Sequence, residues 1–248
     1  MAINVRNKEQ IELMRRSGDI VLKTFKLLEN EICSGVSTSS LNETAEKFIK
    51  SLGAVPSFLG YRDFPSSICI SVNEQVIHGI PGLRKLRNGD IVSIDIGVYL
   101  NGFHADAART FAVGDVSDED KRLIEVTKQC FFEGIKFAKA DNHLSDVSTA
   151  IQQYVESNGF SVVRDYVGHG IGRNLHEDPA VPNYKTKSRG PKLMRGMVLA
   201  IEPMVNAGAY DVKVLDDEWT VVTSDGKKSA HYENTVVITD DEPELLTL

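Results

Sequence analysis

The sequence predicts an α+β fold made of two pseudosymmetric αβ halves, with a central antiparallel or mixed sheet covered by helices. Three observations carry this. Read against itself at a shift of 107 positions, the stretch LRNGDIVSID at 86–95 aligns with LMRGMVLAIE at 193–202, so an aliphatic strand ends in a carboxylate in both halves, Asp95 in one and Glu202 in the other. At a shift of 106, the helical pattern of 41–53 recurs at 147–159. A period this long marks duplication of a domain-sized unit, because solenoid repeats run to about 20–50 residues. Strand signals, finally, follow helix signals in both halves.

In chain order, Asn7 with Gln10 three residues later forms a capping box that opens an amphipathic helix through Leu28, with Ile11, Met14, Ile20, Val21, Phe25 and Leu28 on one face. Strands are expected over 67–72, 90–99 and 103–110. Ser117, followed by Asp118, Glu119 and Asp120, starts a helix expected to run to about 139, since acidic residues favour the positive end of the helix dipole. Later strands are expected over 197–201, 220–223 and 235–239, with loops at 140–143 and 179–191. No low-complexity linker divides the chain, which predicts a single domain over 1–248 with halves of approximately 1–115 and 116–248.

With 42% hydrophobic and 25% charged residues the composition is that of a soluble globular chain large enough for a substantial core. The net charge of −7 disfavours a nucleic-acid ligand, although clustered carboxylates that metal ions would neutralise can supply part of it. Cys33, Cys69 and Cys130 form no Cys-x-x-Cys pair, which argues against a disulfide framework and a thiolate zinc site and for reduced thiols. The N-terminus interleaves Arg6, Lys8, Arg15 and Arg16 with apolar residues and shows no signal peptide or membrane span, so a cytoplasmic location is expected.

Asn101-Gly102 between 95–100 and 103–106 is a strong two-residue hairpin signal, because both central residues must tolerate positive φ. If Leu100 faces Phe103, then Gly97 faces Asp106, and Asp95 becomes a diagonal neighbour on the same face about 7–8 Å away. Two carboxylates then converge, provided no one-residue bulge flips Asp106. An unpaired carboxylate among aliphatic residues costs several kcal/mol, so a metal is the expected partner. His169 in Gly168-His169-Gly170-Ile171-Gly172, Glu202 before Pro203, and Glu233 in Tyr232-Glu233-Asn234-Thr235 complete an oxygen-rich set with one nitrogen. Such a set suits two divalent ions better than a thiolate site does, and paired ions point to hydrolysis.

With those residues in view, the chain from Ile11 to Leu246 resembles the type I methionine aminopeptidases of bacterial kind. The resemblance is carried by Val76-Ile77-His78-Gly79-Ile80-Pro81, Ile94-Asp95-Ile96-Gly97, Phe103-His104-Ala105-Asp106, the His169 glycine motif, Leu175-His176-Glu177, Ile201-Glu202-Pro203 and Tyr232-Glu233-Asn234-Thr235. It implies the pita-bread fold of these metallopeptidases and removal of initiator methionine from nascent chains with a small second residue, by attack of a metal-bridging water or hydroxide on the scissile carbonyl. It implies that Asp95 chelates one metal, Asp106 and Glu233 bridge two, and His169 and Glu202 complete the second, with Glu202 also shuttling the proton. His78 and His176 would contact the substrate amide and stabilise the tetrahedral intermediate.

By the same resemblance Phe58, Tyr61, Phe64, Cys69, Leu175 and Trp219 line the methionine pocket, and Asn73 and Ser229 match members that bind a monovalent cation. The divalent ions would be cobalt, manganese, iron(II), zinc or nickel. The implied partners are nascent N-termini, met as a monomer in transient association with the ribosome, with no membrane and no nucleic-acid specificity. His104 and His231 read as packed histidines or histidines that support the ligands, and His143 lies outside the motifs. Two departures stand out: Asn234 where many relatives have histidine, which puts a supporting contact in doubt, and Leu175 where many have phenylalanine, which loosens the pocket.

Two other readings compete. Prolidases and aminopeptidase P share the fold and ligand set but usually carry a further N-terminal domain. Pita-bread modules that only bind peptides or histones typically lose ligands, whereas all five stand here beside His78 and His176.

Overall fold

Asn7 starts the first helix through its own side chain, which accepts the Gln10 amide at 2.9 Å while the Gln10 side chain accepts the Asn7 amide at 3.1 Å. The computed structural model describes residues 3–248. Helix α1 (Lys8–Glu29) and α2 (Thr38–Ser51) bury Ile20, Val21, Phe25, Leu28, Leu41 and Ile49 against a sheet of β1 (Cys69–Val72), β2 (Ile91–Leu100), β3 (Phe103–Ala112) and the short segment Val55–Pro56. Val92, Ile94, Ile96 and Val98 of β2 join that core. Each such side chain contributes about 1.5–3 kcal/mol by leaving water, which fixes the face of β2 that meets the helices. Asp95 alternates onto the other face.

The hairpin turn has φ of 52° at Asn101 and 86° at Gly102, as a two-residue turn of this kind requires. Leu100 then pairs with Phe103, Gly97 with Asp106 and Asp95 with Ala108 without a bulge. The register expected from the turn is the one observed.

The second half repeats the plan. Helices α3 (Asp118–Ile135) and α4 (Leu144–Ser157) pack Leu123, Phe131, Val147 and Ile151 onto Leu199, Ile201 and Val236. These belong to a five-stranded sheet ordered Glu244–Leu245, β7 (Asn234–Val237), β6 (Val198–Ile201), β4 (Gly168–Gly170) and β5 (Glu177–Val181). Every ladder among the described residues is antiparallel, and the one parallel contact is an isolated bridge between Lys139 and Thr239.

Two expectations need correction. Helix α3 ends at Ile135 rather than near 139, because the backbone at 139–140 turns to pair with Thr239, whose carbonyl accepts the Ala140 amide at 2.8 Å. The stretch from 179 is not all loop. Residues Glu177–Val181 form β5, and Pro179 is tolerated there because β5 is the last strand of its sheet, where a missing N–H breaks no ladder.

Three short strands, Met204–Asn206, Val212–Val214 and Val221–Thr223, lie between β6 and β7, followed by Ser229–His231. Val221–Thr223 pairs with Gln75–Ile77 and so ties the second half to the first. A second tie is direct: Glu233 donates its amide to the Ala108 carbonyl at 3.0 Å, bringing the start of β7 alongside β3.

Candidate metal centre

Three segments aim four carboxylates at the junction of the halves. The β2–β3 hairpin presents Asp95 and Asp106, Glu202 follows the last residue of β6, and Glu233 precedes β7. His169 comes from the middle of β4. One donor atom each from Asp106, His169 and Glu233 lies within 4.8 Å of the others. His169 Nε2 stands 3.7 Å from Asp106 Oδ2 and 3.6 Å from Glu202 Oε1. His169 Nδ1 is 2.8 Å from the Gly170 carbonyl, which accepts its proton and leaves the Nε2 lone pair facing the carboxylates.

The electrostatics follow from crowding. Burial and then Asp106 push the Asp95 carboxyl well above its usual range. Burial, Asp106 and Asp95 do the same to Glu202, and burial, Asp106, Glu202 and Asp95 to Glu233. Asp106 is raised by burial against the opposing pull of His169 and Thr235. Four buried carboxyls this close cannot all ionise without a compensating cation. Asp95 Oδ1 is buried with no hydrogen-bond partner among the described residues. An orphaned oxygen, further acidic oxygens and one presented imidazole nitrogen are the donor set of a divalent cation site, and the residues fit it.

A cavity of roughly 130 Å³ opens over the carboxylates. Phe58, Tyr61, Phe64, Cys69, Leu175 and Trp219 wall it, and His78 and His176 share the lining, so every residue expected at the site from the sequence meets there. Phe64 and Trp219 meet edge to face at 5.0 Å between ring centroids, and Tyr61 stacks on His176 at 5.2 Å. Burial holds His78 down to about 4, and burial with the neighbouring His169 holds His176 down to about 3, so both are neutral imidazoles at neutral pH. His78 sits at φ 57°, a left-handed conformation that non-glycine residues keep where the surroundings impose it. Burial and then Asp95, its partner across the sheet, push the Cys69 thiol well above its usual value, so it stays a neutral wall rather than a thiolate ligand.

The remaining candidates lie around this centre. His104 Nδ1 is 2.9 Å from Ser57 Oγ. His231 is buried, with Nε2 3.8 Å from Glu202 Oε2 and without a hydrogen-bond partner for that nitrogen among the described residues, which makes it a neighbour of the cluster. The Asn73 side chain bonds Asp90 and the Ile91 amide, and Ser229 Oγ bonds Val205 and Asn206, so a monovalent cation there would have to draw on backbone carbonyls. Asn234 points away from the carboxylates: its Oδ1 accepts from Arg109 at 2.7 Å and from Thr247 at 3.0 Å.

Sequence reading gave no role to several supporting residues. Thr235 Oγ1 accepts the Asp106 amide at 3.0 Å and donates to the Asp106 carbonyl at 2.8 Å, locking the bridging candidate in place. Arg109 donates to the Glu233 carbonyl and spans to Asn234 and Thr247. Asn183 Nδ2 holds the Glu202 carbonyl at 3.0 Å, and Arg62 lines the cavity. Thr235 closes the Tyr232–Thr235 motif, but the other three carry no local signal.

The profile of metallopeptidase family M24 matches residues 12–240. A methionine aminopeptidase of Clostridium perfringens (strain 13 / Type A) is 61% identical over 246 residues, covering 99% of each chain. The crystal structure of methionine aminopeptidase from Rickettsia prowazekii superposes with a TM-score of 0.98 at 42% identity, covering 100% of both chains. An Xaa-Pro dipeptidase from Bacillus anthracis shares the fold at a TM-score of 0.80 and 22% identity, with 98% of this chain covering 61% of that one. No helix among the described residues is long and apolar enough to cross a membrane.

Proposed function

The chain belongs to metallopeptidase family M24 and, within it, to the methionine aminopeptidases, and from that premise we propose that it removes the N-terminal methionine from polypeptides whose second residue is small. The observation that supports this best is the buried group of Asp106, His169 and Glu233, flanked by Asp95 and Glu202, on the floor of an apolar-walled cavity.

In this reading Asp95, Asp106, His169, Glu202 and Glu233 hold two divalent cations. Manganese, iron(II) and cobalt suit the donors, with zinc and nickel as further candidates. Bound there, such ions would lower the pKa of a water and polarise the scissile carbonyl. Glu202 carries the proton from the attacking water to the departing amine nitrogen. His78 and His176, neutral and able to donate an N–H, steady the charge that develops on the carbonyl oxygen. Phe58, Tyr61, Phe64, Cys69, Leu175 and Trp219 take the thioether side chain, for which an apolar aromatic wall is well suited.

Because both halves supply ligands, 1–248 acts as one catalytic unit. The reading extends to a cytoplasmic monomer that meets nascent N-termini in passing at the ribosome, with no membrane or nucleic-acid ligand. Release of free methionine from Met-Ala-Ser should stop on chelation and return with added manganese, and Asp106→Ala should stay at the chelated level. Turnover that ignores the chelator, or that is confined to Xaa-Pro peptides, would overturn the reading.

A further inference from the structure

Arg6 lies before α1, outside every motif, yet its side chain is only 7% exposed and its ion-pair partner Glu177 only 5%. The segment that carries Arg6 is fastened to the second half, where its amide donates to the Gly196 carbonyl at 2.7 Å. The Glu177 carboxylate is saturated from three directions: by the Arg6 guanidinium, by Asn4 Nδ2 at 2.7 Å and by the Asn174 amide at 3.1 Å. The Arg6 guanidinium also stands 5.8 Å over the Phe103 ring.

Two glycines make room for this arm. A Cβ on Gly172 would lie 2.0 Å from Arg6 Nη2, and one on Gly196 would lie 2.6 Å from the Arg6 carbonyl. The last glycine of the Gly168–Gly172 motif therefore accommodates an arginine, not a ligand. Between Gly172 and Glu177 the chain carries Leu175 and His176, both in the cavity lining, and the His176 ring centroid is 4.0 Å from that of His169. A buried ion pair adds little net stability, because desolvation offsets much of its attraction, so what this one supplies is a fixed position.

We infer that Arg6, assisted by Asn4, is a positioning residue that sets His176 through Glu177; this rests on the substrate-side role given to His176 above. The arm reaches from the other half to clamp the base of the short segment that presents the imidazole. Without the guanidinium the Glu177 carboxylate keeps only Asn4 and the Asn174 amide, and the segment that presents His176 is held less firmly.

The test is a double-mutant cycle on methionine release from Met-Ala-Ser by the manganese-loaded protein. Arg6→Gln should lower kcat by about tenfold to a hundredfold, the cost of misplacing a reacting group by about 1 Å, while KM changes less. In a His176→Ala background the same change should cost less than about twofold, because the two act as a unit. Arg6→Lys should recover part of the loss. Histidine-labelled NMR of the metal-free protein gives a second readout: the His176 ring signal should move in Arg6→Gln and in Asn4→Ala while that of His143 stays. Equal losses in both backgrounds, or an unmoved His176 signal, would overturn the inference. If Arg6→Gln does not fold, Asn4→Ala and Arg6→Lys carry the same comparison. Wild-type protein that releases no methionine would instead sink the functional reading, and the NMR comparison would still decide the clamp.

Discussion

Asp95 and Asp106 are eleven residues apart on one hairpin, whereas Glu202 and Glu233, their counterparts in the second half, are thirty-one apart. In the first half a two-residue turn sends β2 straight back as β3, and the pair follows from register alone. In the second half β6 ends at Ile201, and four short strands and the Trp219 loop intervene before β7 returns to pair Asn234 with Ile201. The longer excursion supplies Trp219 to the cavity wall and Val221–Thr223 to the pairing with Gln75–Ile77. The second half thus lengthens the same frame and closes with Trp219 a cavity wall to which the first half gives Phe58, Tyr61, Phe64 and Cys69.

The contrast is sharpest at the two strand-borne carboxylates. Under the proposed function Asp95 is expected to serve metal binding alone, while Glu202 is expected to carry a proton as well. Glu202→Gln should therefore lower kcat by about 10²–10⁴-fold at saturating metal, since a carboxamide cannot shuttle a proton. Asp95→Asn should chiefly raise the metal concentration needed for activity. If steady-state kinetics across a manganese titration show the two variants failing alike, the halves are not divided in this way.

The seam between the halves comes next. Thr235 of β7 braces Asp106 of β3 through the Asp106 amide and carbonyl. Thr235→Val keeps the shape and removes both bonds, and manganese affinity in a calorimetric titration should fall by about 10–100-fold. Unchanged affinity would mean that the hairpin alone orients Asp106, which would make the first half self-sufficient.

The smallest effect concerns the anchoring of the excursion. Lys228, just before Ser229–His231, donates to Asp120 Oδ2 at 2.9 Å and to the Gly89 carbonyl at 2.8 Å. Burial alone would raise the Asp120 carboxyl, but the bonds from Lys228 and Ser117 outweigh it and hold the group below its usual range. Its stabilisation is therefore present above about pH 4 and is lost as pH falls through the lowered folded value. Asp120→Asn should cost about 0.5–1 kcal/mol at pH 7, and the difference from wild type in chemical denaturation should shrink toward pH 3. A cost that does not vary with pH would assign it to helix capping instead.

The sequence by itself determined whatever acts between near neighbours. The Asn7–Gln10 box, the positive-φ pair Asn101-Gly102 and the alternation of Val92, Ile94, Ile96 and Val98 against Asp95 are local, and so the first helix, the hairpin and its carboxylate face were legible. The repeat revealed that a second carboxylate strand exists, the glycine motif pointed to His169, and the resemblance supplied His78, His176 and the pocket. Only the tertiary structure decided which distant groups brace these residues: Thr235 against Asp106, Arg109 on the Glu233 carbonyl, Asn183 on that of Glu202 and Arg6 on Glu177. It also placed β5 at a sheet edge where Pro179 is harmless, and drew 139–140 away from helix α3. The physical reason is one of range. Turns, caps and alternation are settled within a few residues, whereas a contact across 129 or 171 positions exists only after two cores have packed and brought their edges together.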